Sequence, residues 1–374
     1  YFAGPYASRL LADLGADVVK LEPLDGDLLR PTVKPFNGAQ RGKRDIAVNL
    51  KDPRGIEIGH RLAAWADVVS HNMRPGAAER LHMDYATVRA FNPSVIYAYA
   101  PGWGSSGPDA SLPGFAPLFS GYVGLHHEAA GEGNPPVAPI GNEDNGNGLL
   151  GATAILMALY HRARTGEGQY LEHPQLNATL WMAMHLLRRP DGSVAGSAHL
   201  DHERLGGHPL DRVYPTQDGW VCVSARTDAE FARLCAVPGF EAVGGAGAVT
   251  GDGRASPALE ACLAKVFATR TSAEWAALLD AHDVPAEVPA GVDAPQVFLH
   301  DPEHRRDGRV EEYEHPRWGT TQDVAVMVRL SAATQRPSRP APEIGQHTRE
   351  VLAELGYPGA DVDALVSEGV VRAG

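Results

Sequence analysis

Cysteine is scarce: Cys222, Cys235 and Cys262 are the only three in 374 residues. They form no CxxC pair and stand at no ligand spacing with histidine, which excludes a zinc ribbon and a dithiol redox motif. Their scarcity matches a reducing compartment, so a cytoplasmic location is expected. No apolar run approaches the roughly 18 residues that a membrane-spanning helix takes, and no membrane contact is expected. The opening YFAGPYASRL has neither the charged region nor the apolar region of a signal peptide. It does not begin with Met, and a preceding segment is expected. HExxH, the P-loop, GxGxxG and GxSxG are all missing, so no metal is expected and the common nucleotide and hydrolase loops are excluded. Basic residues are in deficit as well: 33 Lys and Arg face 46 Asp and Glu, a net charge of −13. A nucleic-acid partner, which takes a dominant basic surface, is excluded. A small polyanion held by a few converging Arg and Lys residues is not.

What the chain does contain is a globular balance, with 44% hydrophobic and 21% charged residues, and length for two or three domains. The first 170 residues alternate between helical and strand-like runs. Pro5 to Leu14 has helical spacing and stops at Gly15, and 17–22 is a short β-rich run. Asp52-Pro53 reads as cap and first-turn proline of a helix through Ile56, Ile58, Leu62 and Trp65. The strand 67–70 follows, then a helix from Gly76 to about Phe91, then the strand 94–100. Such alternation predicts βαβ units and a mostly parallel sheet, an α/β fold. The chain opens on a helix, so the strand that feeds it is expected upstream.

From Pro101 to Asp144 the texture changes to a Gly- and Pro-rich loop, the kind that carries sites more often than cores. Leu149 to Arg164 is apolar on nearly every side and reads as a helix buried in a large core. A His- and Gly-rich linker runs from about Arg188 to Leu210. A smaller α+β segment follows, with a strand at 219–223 and a helix at 272–283. Residues 300–340, charged and proline-rich, read as an extended crossing segment, and Thr348 to Leu355 as a closing helix stopped by Gly356.

Several segments, in order, carry a resemblance. GPYASRLLADLGADVVKLEPLDGDLLR, RGKRDIAVNLKDPRG, ADVVSHNMRPGAAERL, NPSVIYAYAPGWGSSGP and GNEDNGNGLLGATAILMALYHRARTGEGQY resemble the family III CoA-transferases, which include formyl-CoA and carnitine CoA-transferases and the α-methylacyl-CoA racemases. The resemblance continues through 214–220 and 283–286 to 341–348, so it covers essentially the whole chain. It implies a large Rossmann-like CoA-binding domain from residues 1–190 and 320–374, a small domain at 205–305, and linkers at 190–205 and 305–320. It also implies an interlocked homodimer. The implied substrates are an acyl-CoA and a small carboxylic acid, with coenzyme A as cosubstrate and no bound cofactor.

The residue matching the family's catalytic carboxylate is Asp144, just ahead of the long apolar helix, with Gly148 four positions on. A carboxylate there faces oriented N–H groups that favour its anion, and an ionised Asp can attack a thioester. By spacing alone, Asp144 reads as a plain helix N-cap; the catalytic role is what the resemblance implies. The resemblance assigns CoA contacts to Arg30, Val48, Lys51, Asn72, Met73, Arg80 and Leu81, placed after strands or at helix starts, where open α/β sheets bind ligands. Gly206 and Gly207 match a glycine-rich loop that closes over the catalytic Asp.

There are departures. Where the racemases carry a proton-shuttling His, this chain has Phe115, which moves no proton; His126 and His127 stand about a dozen residues later. Ala116 replaces a usual acidic residue, and Phe2 a polar one, which makes the first pocket more apolar and points away from formate and oxalate. The leading expectation is transfer of CoA between two carboxylic acids. The alternatives are an acyl-CoA racemase or epimerase, and a non-catalytic CoA-binding half of a fused chain.

Overall fold

The computed structural model describes residues 2–138, 143–184, 186–195, 200–245, 257–332 and 339–374. Two compact units result: one from residues 1–123, 140–184 and 298–374, the other from 124–139 and 185–297.

The first unit is mixed α/β. Alternating helices and short β-branched runs give two three-stranded sheets. In one, Val19–Glu22 pairs in parallel with Arg44–Val48, whose far edge takes Val371–Arg372 antiparallel. In the other, Val68–His71, Ile96–Tyr99 and Gln169–Glu172 are all parallel. Parallel pairing puts the C-terminal ends of these strands on one side, and the loops leaving them carry most of the expected contact residues. The helix Pro53–Trp65 starts as the sequence predicts: the Asp52 carboxylate accepts the Arg54 N–H at 2.9 Å, with Pro53 in the first turn. Its inward face, Ile58 and Leu62, joins Ile46, Val48, Val351, Leu352, Val362 and Leu365 in one core.

Three expectations are corrected. The helix expected from Gly76 to Phe91 is two, Ala77–Arg80 and Tyr85–Phe91. His82 takes a left-handed φ of 54° and Asp84 recaps the chain by accepting the Thr87 N–H, which ends the first piece. The long apolar helix runs Glu143–Thr165, and it is not buried all round. Its small residues Gly148, Gly151, Ala152 and Ala158 face the core, while Met157 and Tyr160 are 68% and 65% exposed. Residues 300–340 are not one extended crossing: they include a short helix, Pro302–Arg306, and an antiparallel hairpin of Val310–His315 with Gly319–Val324. That hairpin covers most of the expected 305–320 linker and packs down, with Glu311 and Asp323 both paired to the fully buried Arg41. The tail adds to its expected helix a second one, Gly359–Ser367, and the strand Val371–Arg372.

The second unit holds a four-stranded antiparallel sheet, ordered Ala286–Glu287, Trp220–Ser224, Asp211–Pro215 and Gly206–His208. Helices Asp228–Cys235, Pro257–Phe267 and Ser272–Ala281 cover it. Tyr214, Phe240, Phe267 and Trp275 make its aromatic core. The three cysteines are free. No described helix is long and apolar enough to cross a membrane, and no group of three or more His, Cys, Asp or Glu among the described residues could hold a metal ion.

Candidate active site

Asp144 lies in the first turn of the helix Glu143–Thr165, half-buried. The helix is fixed from two sides just beyond it. On one side the helix Ala3–Asp13 crosses so closely that a Cβ on Gly148 would stand 2.4 Å from Tyr6 Cδ1. On the other, His173 leaves the strand Gln169–Glu172 and packs its ring over Gly151, where a Cβ would stand 2.5 Å from His173 Cε1. Only glycine leaves room for either approach. Asn147, one turn after Asp144, donates to the His173 carbonyl at 2.8 Å and meets His173 Nδ1 at 3.0 Å.

The same helix crossing reaches the expected CoA residues. Asn72 follows the strand Val68–His71 and lies against Gly4, its Cβ 2.9 Å from where a Gly4 Cβ would stand. Met73 donates its N–H to His71 Nδ1 and accepts from the Tyr99 hydroxyl. Asn72 and Met73 are thereby held at the C-terminal ends of two parallel strands, with Asn72 against the helix that carries Tyr6.

Further out, Leu50 and Met83 both lie against Gly59. Two segments meet there: the loop after Val48, carrying Lys51, and the end of the helix Ala77–Arg80 with Leu81 just beyond it. Val48 itself is buried in the core. Lys51 and Arg80 are exposed, and among the described residues neither pairs with a carboxylate. Arg74 shares these properties and was not singled out from the sequence, although it follows Asn72 and Met73 directly in the same loop.

Arg30 stands apart from these free cations. Its guanidinium bridges Glu22, donates to the Pro342 carbonyl at 3.0 Å, approaches Asp45 at 3.5 Å and stacks on Phe36. The resemblance assigns Arg30 a CoA contact; here its guanidinium is part of an internal ion cluster with Glu22 and Asp45. Gly206 and Gly207 belong to the other unit. They form a strand paired with Asp211–Pro215, and Gly206 is buried against the Arg212 backbone.

The electrostatics of Asp144 differ from the sequence expectation. Burial, and then the neighbouring Glu143 carboxylate, push its pKa up; the favourable helix end does not prevail. A carboxylate raised in this way is more basic, and its electron pair is correspondingly more available to an electrophilic carbon. His173 is driven the other way, down to about 4 by burial, so its ring is neutral. Phe2 stacks on Tyr6 with ring centroids 5.0 Å apart, an apolar surface next to Gly148.

A family model described as CoA-transferase family III matches residues 1–348. The succinyl-CoA:glutarate CoA-transferase of Homo sapiens is 30% identical over 388 residues, covering 99% of this chain and 86% of that protein. The α-methylacyl-CoA racemase of Homo sapiens is 28% identical, covering 99% of this chain and 94% of that protein. Among solved structures, Rv3272 from M. tuberculosis superposes with a TM-score of 0.78 at 26% identity, over 93% of this chain and 94% of that one.

Proposed function

The chain belongs to CoA-transferase family III, and on that premise we propose that it moves CoA from an acyl-CoA donor to a carboxylic acid acceptor through covalent intermediates on Asp144. The observation that carries this reading is the placement of Asp144: half-buried, raised in pKa, and fixed by Gly148 and Asn147 beside the strand ends that bear Asn72 and Met73.

The chemistry balances without a metal or an added proton. An Asp144 oxygen attacks the acyl carbon, the C–S bond breaks, and a mixed anhydride and CoA thiolate result. The thiolate attacks Asp144 Cγ, the anhydride C–O bond breaks, and the donor acid leaves an aspartyl-CoA thioester. The acceptor carboxylate then attacks Cγ and expels the thiolate. Finally the thiolate attacks the acceptor's acyl carbon, which releases the new acyl-CoA and restores the carboxylate. Lys51, Arg80 and Arg74 supply cations for the phosphates of CoA, and Asn72 and Met73 border the route from them towards Asp144. Arg30 takes a supporting part, holding Glu22 and Asp45 at the strand ends. The Phe2–Tyr6 stack favours an acyl group larger and more apolar than formyl or oxalyl.

The exposed apolar face of the long helix, Leu149, Leu156, Met157 and Tyr160, supports the homodimer that the family resemblance implies; a monomer in sedimentation at micromolar concentration would refute it. The Rossmann-like reading of the first unit and the cytoplasmic location belong to the same proposal.

The test is transfer of CoA from a panel of acyl-CoAs to a panel of carboxylic acids. Ping-pong kinetics are expected, together with loss of transfer but retained CoA binding in Asp144→Ala. Transfer that survives Asp144→Ala refutes the proposal. Exchange of solvent deuterium into the acyl α-carbon without transfer would replace it with a racemase.

A further inference from the structure

His173 and Asn147 form a two-bond clasp between a strand and the catalytic helix. His173 is 5% exposed and Asn147 is 0% exposed. Asn147 gives its Nδ2–H to the His173 carbonyl, which leaves Asn147 Oδ1 towards the ring. Nδ1 at 3.0 Å must then carry the proton and donate. The His173 backbone N–H donates to the Tyr99 carbonyl at 3.0 Å, so the residue is locked onto the middle strand of the parallel sheet. Asn147 is three residues after Asp144, on the adjoining turn of the same helix.

The opposite ring atom, Nε2, is buried and has no hydrogen-bond partner among the described residues. An unmet buried acceptor destabilises the fold, and an apolar side chain of similar shape would avoid that cost. Nε2 also presents no surface to a substrate, so His173 is not a proton shuttle. What the imidazole supplies is the single Nδ1–H bond to Asn147.

We propose that His173 is a positioning residue for Asp144: its Nδ1–H bond to Asn147 sets the depth and rotation of the first turns of the helix Glu143–Thr165, and so aims the nucleophilic carboxylate. This rests on the reading of Asp144 as the nucleophile. A misplacement of about 1 Å at a reacting group costs on the order of 100-fold in rate, while binding of the distant CoA phosphates is left untouched.

The experiment compares His173→Leu, which has no donor, with His173→Asn, whose amide nitrogen sits on Cγ where imidazole carries Nδ1. Wild type is first treated with acetyl-, succinyl-, octanoyl- and benzoyl-CoA, and the donor giving the fastest covalent adduct is used. His173→Leu is expected to lower kcat and the adduct rate together by about 10- to 100-fold, with KM for the acyl-CoA within about twofold. His173→Asn is expected to recover most of that loss. If His173→Leu does not fold, His173→Gln takes its place, because its amide stands one atom too far out to make the bond. An unchanged kcat in His173→Leu or Gln overturns the inference, as does an Asn variant as slow as Leu, or a loss that falls on KM. If wild type itself forms no adduct with any donor, the reading of Asp144 fails first, and that outcome is distinct from the others.

Discussion

Substituting Gly148 with alanine tests how the site is held. A Cβ at that position would stand 2.4 Å from Tyr6 Cδ1 and 3.0 Å from Tyr6 Cβ, the nearer contact about 1 Å short of an ordinary one. Tyr6 is 7% exposed and stacked on Phe2, so its ring has little freedom to swing away and the two helices must part. Overpacking of this kind costs about 1–3 kcal/mol, while replacing a helical glycine by alanine returns roughly 0.5–1 kcal/mol. The expected net loss in stability is therefore about 1 kcal/mol. The expected loss in rate is larger. Moving Asp144 by a comparable distance costs on the order of 100-fold in kcat, equivalent to about 2.7 kcal/mol of barrier. Chemical denaturation measures the first quantity and steady-state transfer the second. Adding Tyr6→Val should relieve the clash, giving a coupling in which the double variant is better than the sum of the singles. A kcat within about twofold of wild type in Gly148→Ala, at any stability, refutes the claim that this helix contact places Asp144.

Asp144→Asn should melt higher than wild type at pH 7. The folded pKa of Asp144 is raised by burial and Glu143, so above it the ionised side chain penalises the fold. Below the unfolded value near 4 both states are protonated and the difference vanishes. A lower melting point at pH 7, or a gain that persists unchanged at pH 3.5, contradicts this. Arg30→Ala should cost about 1–3 kcal/mol, because Glu22, whose side chain is 1% exposed, loses its closest cation and keeps only Lys20 at 3.6 Å and the Asp27 N–H. Burial, then Glu22, push Asp45 up to about 8, so the deficit should shrink as pH falls from 9 to 6 and Asp45 takes up its proton. A loss under about 1 kcal/mol in urea titrations would show the cluster to be dispensable. Lys51→Ala and Arg80→Ala, both at exposed sites, should leave the melting temperature in place and weaken CoA several-fold at low salt, with the difference fading as salt rises. Calorimetry that finds unchanged affinity removes them from the phosphate site.

The legible parts of the fold are those that local chemistry dictates. Asp52-Pro53 announces a helix start, and β-branched runs such as Val68-Val69 announce strands, without reference to anything distant. The break at His82 was hidden, because a left-handed histidine carries no signal of its own and the Asp84 cap lay inside a continuous helical pattern. The long helix looked buried all round because its apolar side chains, Leu149, Leu156, Met157 and Tyr160, outweigh in the sequence the small residues that pack inward. Asp144 is singled out only by the family resemblance that its neighbours in sequence carry. Its clasp was not, since His173 stands 26 positions from Asn147 and meets it only once the parallel sheet has formed. The resemblance assigns Arg30 a CoA contact, and its ion cluster is not legible beside that assignment. Asp45, the second carboxylate of its cluster, becomes its neighbour only through the pairing of Val19–Glu22 with Arg44–Val48, a register that one sequence does not spell out.

The central claim is a covalent bond at one carboxylate, and peptide mass mapping after brief exposure to an acyl-CoA tests it most directly. The peptide bearing Asp144 should gain the mass of a CoA thioester, convertible to a hydroxamate by hydroxylamine, and Asp144→Ala should gain nothing. A label on another residue, with the Asp144 peptide unmodified while transfer proceeds, would contradict the account.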